Sequence, residues 1–435
     1  MQNFREIAFD ALNKIEKDEA YSNIALDFSL SKITADTRDR AFVSSLFYGV
    51  IERKITLDYQ LSLYLSKPIG KLKAEVLTLL RMGAYQILFM DRVPASAAIN
   101  ESVKISKKKG HSYASGLINA VLRKIDQNGL KLPSEENYSE YMSVRYSCPE
   151  WLINKWVKEY GKDDTTAILE SALGSSDIYI KVNHLKTNED TLIELLSEEG
   201  ITAEKAITEN CLKIDLKGKS VERLDSFKKG LFHVQDAACQ LCVRALNAKE
   251  GNTIFDLCAA PGGKSYSIAE NMNNIGRVLS FDIHKHRVDL IKNGAERLGL
   301  TCIEAFEGNA TILNSNLGSA DAVLCDVPCS GFGIIGKKPE IKYKNPDETK
   351  VLPALQLEIL KNGANYVKKG GRLVYSTCTL SHSENQKVCK KFLEADNRFV
   401  QVKPLPEYSD ELNLTLMPHK DKTDGFFVAC FERKE

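Results

Sequence analysis

Two Trp and seven His are few for 435 residues, and the formal net charge is only +1. No apolar stretch runs uninterrupted for the length of a membrane span, so a membrane-spanning chain is not expected. Met1–Asp10 carries charges where a secretory signal needs an apolar core, which makes the cytoplasm the expected compartment. The 11 Cys are scattered, without His clusters or even spacing. That argues against a disulfide framework and a structural zinc site, so no metal is expected and most thiols should be buried, reduced and inert. The dinucleotide spacing G-x-G-x-x-G is missing as well. Gly263-Lys264-Ser265 invites a phosphate-loop reading, but the first glycine of that motif would fall at Cys258.

What is present is ordinary globular composition, 43% hydrophobic and 27% charged residues, over a length that suggests two or three domains. The charges are uneven. Residues 1–131 hold 20 basic against 14 acidic side chains, and residues 132–230 hold 13 against 19. Over 1–131 the periodicity predicts helices throughout. Phe4, Ile7, Ala8, Leu12 and Ile15 share one face, and Val76, Leu77, Leu80, Ala84, Ile87 and Leu88 share another. Pro94 opens a further helix, and Gly129 and Pro133 break the set after the run 116–123. Arg123 and Lys124, with Lys107, Lys108 and Lys109, would give this bundle a basic rim of the kind nucleic acid prefers.

Residues 132–230 mix periods. Ile178–Val182 and Leu212–Leu216 alternate as strands, and Asp190–Glu199 is periodic as a helix, which predicts a small α+β connector. Residues 231–435 change pattern again. Strands expected at Thr253–Leu257, Val278–Asp282, Ala322–Asp326 and Arg372–Ser376 alternate with helices such as Arg287–Leu298 and Lys350–Val367, the mark of a doubly wound parallel sheet. The fold class is therefore α/β: a Rossmann-like domain preceded by a helical bundle and a connector.

Asp256 to Ser265 (DLCAAPGGKS) joins the first of these strands to a helix. Within it Cys258, Ala259, Ala260, Pro261, Gly262, Gly263 and Lys264 offer glycine backbone and a helix amino terminus to a ligand. Asp282 ends the next strand, where a carboxylate can accept both hydroxyls of a ribose. Without a pyrophosphate cradle the site suits S-adenosylmethionine. Two further strands end in cysteine motifs, Cys329 in DVPCSG and Cys378 in YSTCT. In an open parallel sheet such positions face the ligand crevice, so two thiols could meet one substrate there, an arrangement that suggests covalent chemistry on a base.

Taken together, DLCAAPGGKS, DVPCSGFG, IIGKKPEIK at 334–342 and LVYSTCTL followed by Glu384-Asn385 resemble the RNA cytosine-C5 methyltransferases. The likeness continues amino-terminally through Pro94–Val103, the INAVLR run at 118–123 and Gly230–Asp236, to members that carry a NusB-type RNA-binding domain. It covers essentially the whole chain. The resemblance implies that Cys378 adds to C6 of the cytosine and that Cys329 serves release. It further implies that Asp326, helped by Lys264, meets N3, and that the loop 258–264, Asp282, Asn309 and Asp326 hold the cofactor. It also implies action on 16S rRNA, at cytosine-967 in the customary rRNA numbering; a monomer is expected. Two residues depart from the family pattern. Asn309 stands where Asp is usual near the adenine, and an amide can donate to a ring nitrogen but accepts only through a neutral carbonyl. Gly336 stands where a basic residue is usual, although Lys337, Lys338, Lys342 and Lys344 around Tyr343 keep that loop basic and suggest phosphate contacts with one stacking ring. The catalytic motifs do not encode the target, so a transfer RNA or another rRNA cytosine is the alternative. A non-catalytic RNA-binding or antitermination factor would need only the first domain, and the intact Lys264, Asp326, Cys329 and Cys378 count against it.

Overall fold

The computed structural model describes residues 3–18, 26, 28–30, 37–174 and 177–435, so the first two residues of the charged stretch Met1–Asp10 lie outside the described residues. Two compact units divide the chain: Met1–Leu173 with Gly336–Tyr343, and Gly174–Ile335 with Lys344–Glu435.

The first unit is helical. Its centre is the helix Ala74–Phe89, which buries Val76, Leu79, Leu80 and Ala84 and polar residues too. Those polar groups are matched. Arg81 forks onto Asp58 at 2.7 and 2.8 Å, and Gln86 accepts from Arg5 Nε at 2.6 Å. Pro94 precedes the helix Ala95–Lys108, and Gly129, with φ of 64°, ends the helix Ser115–Asn128, as the sequence predicts. The basic rim is partly neutralised, because Lys108 pairs with Glu6 and Lys109 with Glu6 and Asp10. By packing, this unit extends past residue 131. The helices Tyr138–Tyr146 and Glu150–Ser171 belong to it, and Thr56 Oγ1 donates to Val144 O at 2.5 Å.

Gly336–Tyr343 also belongs to this unit, which corrects the expected phosphate-binding loop at two of its residues, Lys342 and the stacking ring of Tyr343. Lys342 is buried and donates to Glu52 O at 2.7 Å, and the Tyr343 hydroxyl donates to Ile51 O at 2.9 Å. Both side chains satisfy helix-end carbonyls, which otherwise lack partners. Burial lowers the pKa of Lys342 to about 8.

In the second unit, β1 (Ile178–Val182), β2 (Thr202–Lys205), β3 (Cys211–Asp215) and β4 (Phe232–Val234) form an antiparallel sheet in the order β2-β3-β1-β4, with the helix Glu189–Glu198 in the connection from β1 to β2. This sheet is fixed to the helix Lys285–Leu298: Arg297 donates to Phe227 O and Phe232 O, and Asn183 donates to Leu298 O. The backbones come so close that a Cβ on Gly230 would sit 2.1 Å from Arg297 O.

The larger sheet holds β5 (Thr253–Asp256), β6 (Arg277–Asp282), β7 (Ile303–Glu307), β8 (Ala320–Asp326), β9 (Val367–Thr377), β10 (Phe399–Val402), β11 (Asn413–Leu416) and β12 (Phe426–Arg433). The order is β10-β12-β9-β8-β5-β6-β7 with β11 on β12. Strands β5 to β9 are parallel, and β10, β11 and β12 pair antiparallel. The chain runs outward from β5 on one side through β6 and β7, then returns to the other side at β8. The carboxyl ends of β5 and β8 therefore flank a topological switch point, where open α/β sheets bind ligands.

Candidate active site

The loop after β5 leads into the helix Gly263–Asn271. Gly262 has φ of 112°, and a Cβ there would lie 2.3 Å from the Tyr266 hydroxyl, so only glycine fits. Tyr266 donates to Pro261 O at 3.0 Å and fastens the loop to its own helix. Ala259 N donates to Phe281 O, tying the loop to β6.

Asp282, at the end of β6, is buried; Oδ1 accepts from His284 N at 3.0 Å and Oδ2 lies 3.3 Å from Arg287 Nη1. Arg287 also donates to Ala260 O. It therefore connects the carboxylate to the glycine loop, a link that sequence spacing did not reveal. Beyond β7, Asn309 uses its carbonyl to accept from Thr311 N and Thr311 Oγ1 at 3.0 and 2.9 Å, leaving its NH₂ as the group for a partner. Asn309 lines a cavity of about 470 Å³ together with Leu257, Phe281, Ile312, Asn362 and Tyr366. Its lining is mixed, with Leu257, Phe281 and Ile312 beside the amides of Asn309 and Asn362, and a cavity of that size and character can take a nucleoside.

Asp326 ends β8. Lys264 Nζ donates to its Oδ2 at 2.6 Å and Ser376 Oγ to its Oδ1 at 2.7 Å. Burial opposes the charge on Lys264, but Asp326 together with Cys239 and Cys242 outweighs it, and the ammonium is held well above its ordinary range. Three residues on from the end of β8, Cys329 enters a tight loop; Cys378 follows β9. Their sulfurs lie 3.3 Å apart. The Cys378 thiol is lowered, first by its hydrogen bond with Cys329, whereas Cys329 is raised, first by the same bond and then by burial. The pair thus holds one proton-bearing and one more acidic thiol side by side, an arrangement in which the second can act as a nucleophile.

The remaining cysteines near the site behave differently. Burial pushes Cys325 and Cys258 well up and leaves them poor nucleophiles. Cys239 and Cys242, one turn apart on the helix Ala237–Arg244, are likewise raised by burial, Cys239 to about 12. Sequence reasoning missed the polar groups behind the thiols: Glu384, Gln356, Ser330 and Thr379. The only signal for them was Glu384-Asn385 trailing the second cysteine motif. Among the described residues no group of three His, Cys, Asp or Glu is placed to hold a metal ion, and no helix is long and apolar enough to cross a membrane.

A doubly wound sheet with a glycine loop, a strand-end carboxylate and a nucleoside-sized slot at its switch point defines an S-adenosylmethionine-dependent methyltransferase. Comparison with known proteins makes this specific. Residues 243–432 match the model described as 16S rRNA methyltransferase RsmB/F, residues 2–127 match the NusB family, and residues 148–220 match the ferredoxin-like domain of RsmF/B-like methyltransferases. The chain is 38% identical over 443 residues to the "Probable ribosomal RNA small subunit methyltransferase B" of Bacillus subtilis (strain 168), covering 99% of this chain and 98% of the relative. It is 31% identical over 439 residues to the ribosomal RNA small subunit methyltransferase B of Escherichia coli O1:K1 / APEC, covering 100% of this chain and 99% of that one. Among solved structures, the crystal structure of PH0851 superimposes with a TM-score of 0.86 at 28% identity, covering 100% of this chain and 99% of that chain. The chain belongs to the RsmB/F family of rRNA methyltransferases, with S-adenosylmethionine as the methyl donor.

Proposed function

We propose that the protein methylates C5 of a cytosine in 16S rRNA, at cytosine-967 by resemblance, through a covalent bond between Cys378 Sγ and C6 of the base. The observation that carries this reading is the 3.3 Å approach of Cys329 and Cys378 beside the Lys264–Asp326 ion pair. Addition of the Cys378 thiolate to C6 turns the C5–C6 double bond into an enamine and sends charge toward N3. The Asp326–Lys264 pair, with its protonated ammonium, supplies the hydrogen-bonding and proton-donating edge for that charge. The bound S-adenosylmethionine, held by the loop 258–264, Asp282 and Asn309, supplies the methyl group. Loss of the C5 proton then restores the double bond as the C6–S bond breaks, with Cys329 assisting the departure of Cys378. Residues 1–131 would bind RNA, 132–230 would connect, and 231–435 would carry the chemistry in the cytoplasm.

Methylation assays on a 16S rRNA fragment, with denaturing gel electrophoresis, test the assignment. Cys378→Ala should abolish methyl transfer and leave no protein–RNA adduct, because C5 is never activated. Cys329→Ala should accumulate an adduct that survives denaturation. The adduct in Cys378→Ala and not in Cys329→Ala would reverse the two roles. Bisulfite sequencing of rRNA from cells lacking the gene identifies the target base.

A further inference from the structure

Behind the two thiols lies a pair of adjacent buried residues that the chemistry above does not use. Glu384 is 1% exposed and accepts three hydrogen bonds: from Ser330 N at 2.9 Å, Ser330 Oγ at 2.7 Å and Gln356 Nε2 at 3.0 Å. The same Gln356 nitrogen donates to Pro328 O at 3.0 Å. Cys329 is therefore gripped on both sides, at Pro328 and at Ser330. Asn385 does the same for the other loop: its Oδ1 accepts from Thr377 Oγ1 at 2.6 Å, and its Nδ2 donates to Thr379 O at 2.8 Å, on either side of Cys378. Ser330 Oγ and Thr379 Oγ1, 2.7 Å apart, join the two loops directly.

We propose that Glu384 and Asn385 are positioning residues for adduct release: together they hold Cys329 and Cys378 at hydrogen-bonding separation, and the charge of Glu384 keeps the shared proton on Cys329. The inference rests on the two-cysteine reading above. A buried carboxylate is costly, and three hydrogen bonds only partly offset the loss of water. An amide could make most of those bonds, so the charge itself calls for an explanation. Glu384 contributes to the raised state of Cys329, after the hydrogen bond to Cys378, burial and the charge interaction with Cys378, and its electrostatic reach favours the neutral form of the nearer thiol. A protonated Cys329 donates to Cys378 sulfur. On release the C6–Sγ bond breaks and its electron pair returns to Cys378 Sγ. The C5–H pair closes the C5–C6 double bond, and the C5 proton leaves to solvent. The Cys329 S–H stabilises the departing thiolate without being consumed.

The test follows adduct decay against pH in the full-length enzyme with S-adenosylmethionine and an rRNA fragment. Glu384→Gln keeps the shape and removes the charge. It should form the adduct, release it roughly tenfold or more slowly for each unit by which the Cys329 pKa falls below the assay pH, and lose release at a lower pH than the natural enzyme. Ser330→Ala, which leaves the charge in place, should slow release less and keep the natural pH profile. Asn385→Ala should slow adduct formation and release together. Alkylation of Cys329 in the natural protein, followed by mass spectrometry, needs no variant to fold: the thiol should stay unreactive through the pH range in which ordinary thiols react. Reaction there, or natural release rates and pH profile in Glu384→Gln, would overturn the assignment. So would equal slowing in Glu384→Gln and Ser330→Ala with an unshifted profile, since that is the signature of scaffolding alone. Cys329→Ala serves as the trap: no adduct in that variant would defeat the two-cysteine reading and this inference with it, whereas an adduct there with normal release from Glu384→Gln defeats this inference alone.

Discussion

Asp256 sits at the root of the cofactor loop, fully buried, with Ser265 Oγ donating to its Oδ2 at 2.7 Å. Burial raises its carboxyl to about 7. The folded state therefore holds this proton more tightly than the unfolded state does. The resulting stabilisation is fully present in acid, below the ordinary carboxylate range, and is lost as pH rises through about 7. Thermal melting should show the natural protein losing stability relative to Asp256→Asn across that window; parallel curves would mean that Asp256 does not titrate there. Asp282 is a different case, since its two oxygens already serve His284 and Arg287. Removing it with Asp282→Ala should weaken S-adenosylmethionine binding by on the order of tenfold to a hundredfold, the range for a lost hydrogen bond to a charged group. Calorimetry with unchanged affinity would place the ribose elsewhere.

Among elements, the loops at the site are fastened to one another by backbone bonds. Gly333 N donates to Cys378 O at 3.0 Å, Gly425 N donates to Gly333 O at 2.9 Å, and a Cβ on Gly333 would lie 1.9 Å from Gly425 O. Gly333→Ala should cost about 1–3 kcal/mol in denaturant unfolding, in the range of overpacking, and should depress methyl transfer more than it depresses stability, because the displaced loop carries Cys329. Much of this region was legible in the sequence. The strands leading to Asp282, Asp326 and Cys378 fall within a few residues of their expected bounds, because apolar runs between glycine and polar breaks define them. Strand β12 was not, since FFVACFER is buried on both faces and an uninterrupted apolar run gives no alternation to read. Nor was the polar backing of the thiols: Gln356 lies on a helix between the two motifs, and nothing in its local sequence marks it as a partner of Glu384.

For the molecule as a whole, the unit boundaries follow packing rather than sequence order. The helices Tyr138–Tyr146 and Glu150–Ser171 carry no sign of their partner in composition, and Gly336–Tyr343 lies between two segments of the other unit. Lys342 provides a test. Its lowered pKa means that the unfolded chain binds this proton more readily, so its contribution to stability is present above the ordinary lysine range and is lost as pH falls through about 8. Lys342→Met should therefore gain stability relative to the natural protein as pH falls from the ordinary lysine range to about 8, with the two running parallel below that, as read by thermal melting. The opposite trend would mean that the ammonium is well satisfied by Glu52 O. Removing residues 1–131 should weaken binding of an rRNA fragment and flatten its salt dependence while sparing cofactor binding. Equal affinity and salt slope would reduce the bundle to a structural accessory.

The placement of Gly336–Tyr343 also bears on how the protein is made. A ribosome delivers Leu173 long before Tyr343, yet the carbonyls of Ile51 and Glu52 wait for the hydroxyl and the ammonium that arrive with residues 342 and 343. The helical unit thus emerges first but is completed late, after the cofactor loop and the first cysteine loop have left the exit tunnel. Nascent chains stalled before and after residue 343 would differ in protease resistance over residues 37–173, and the amino-terminal part of this enzyme would reach its final stability only when most of the catalytic sequence already exists.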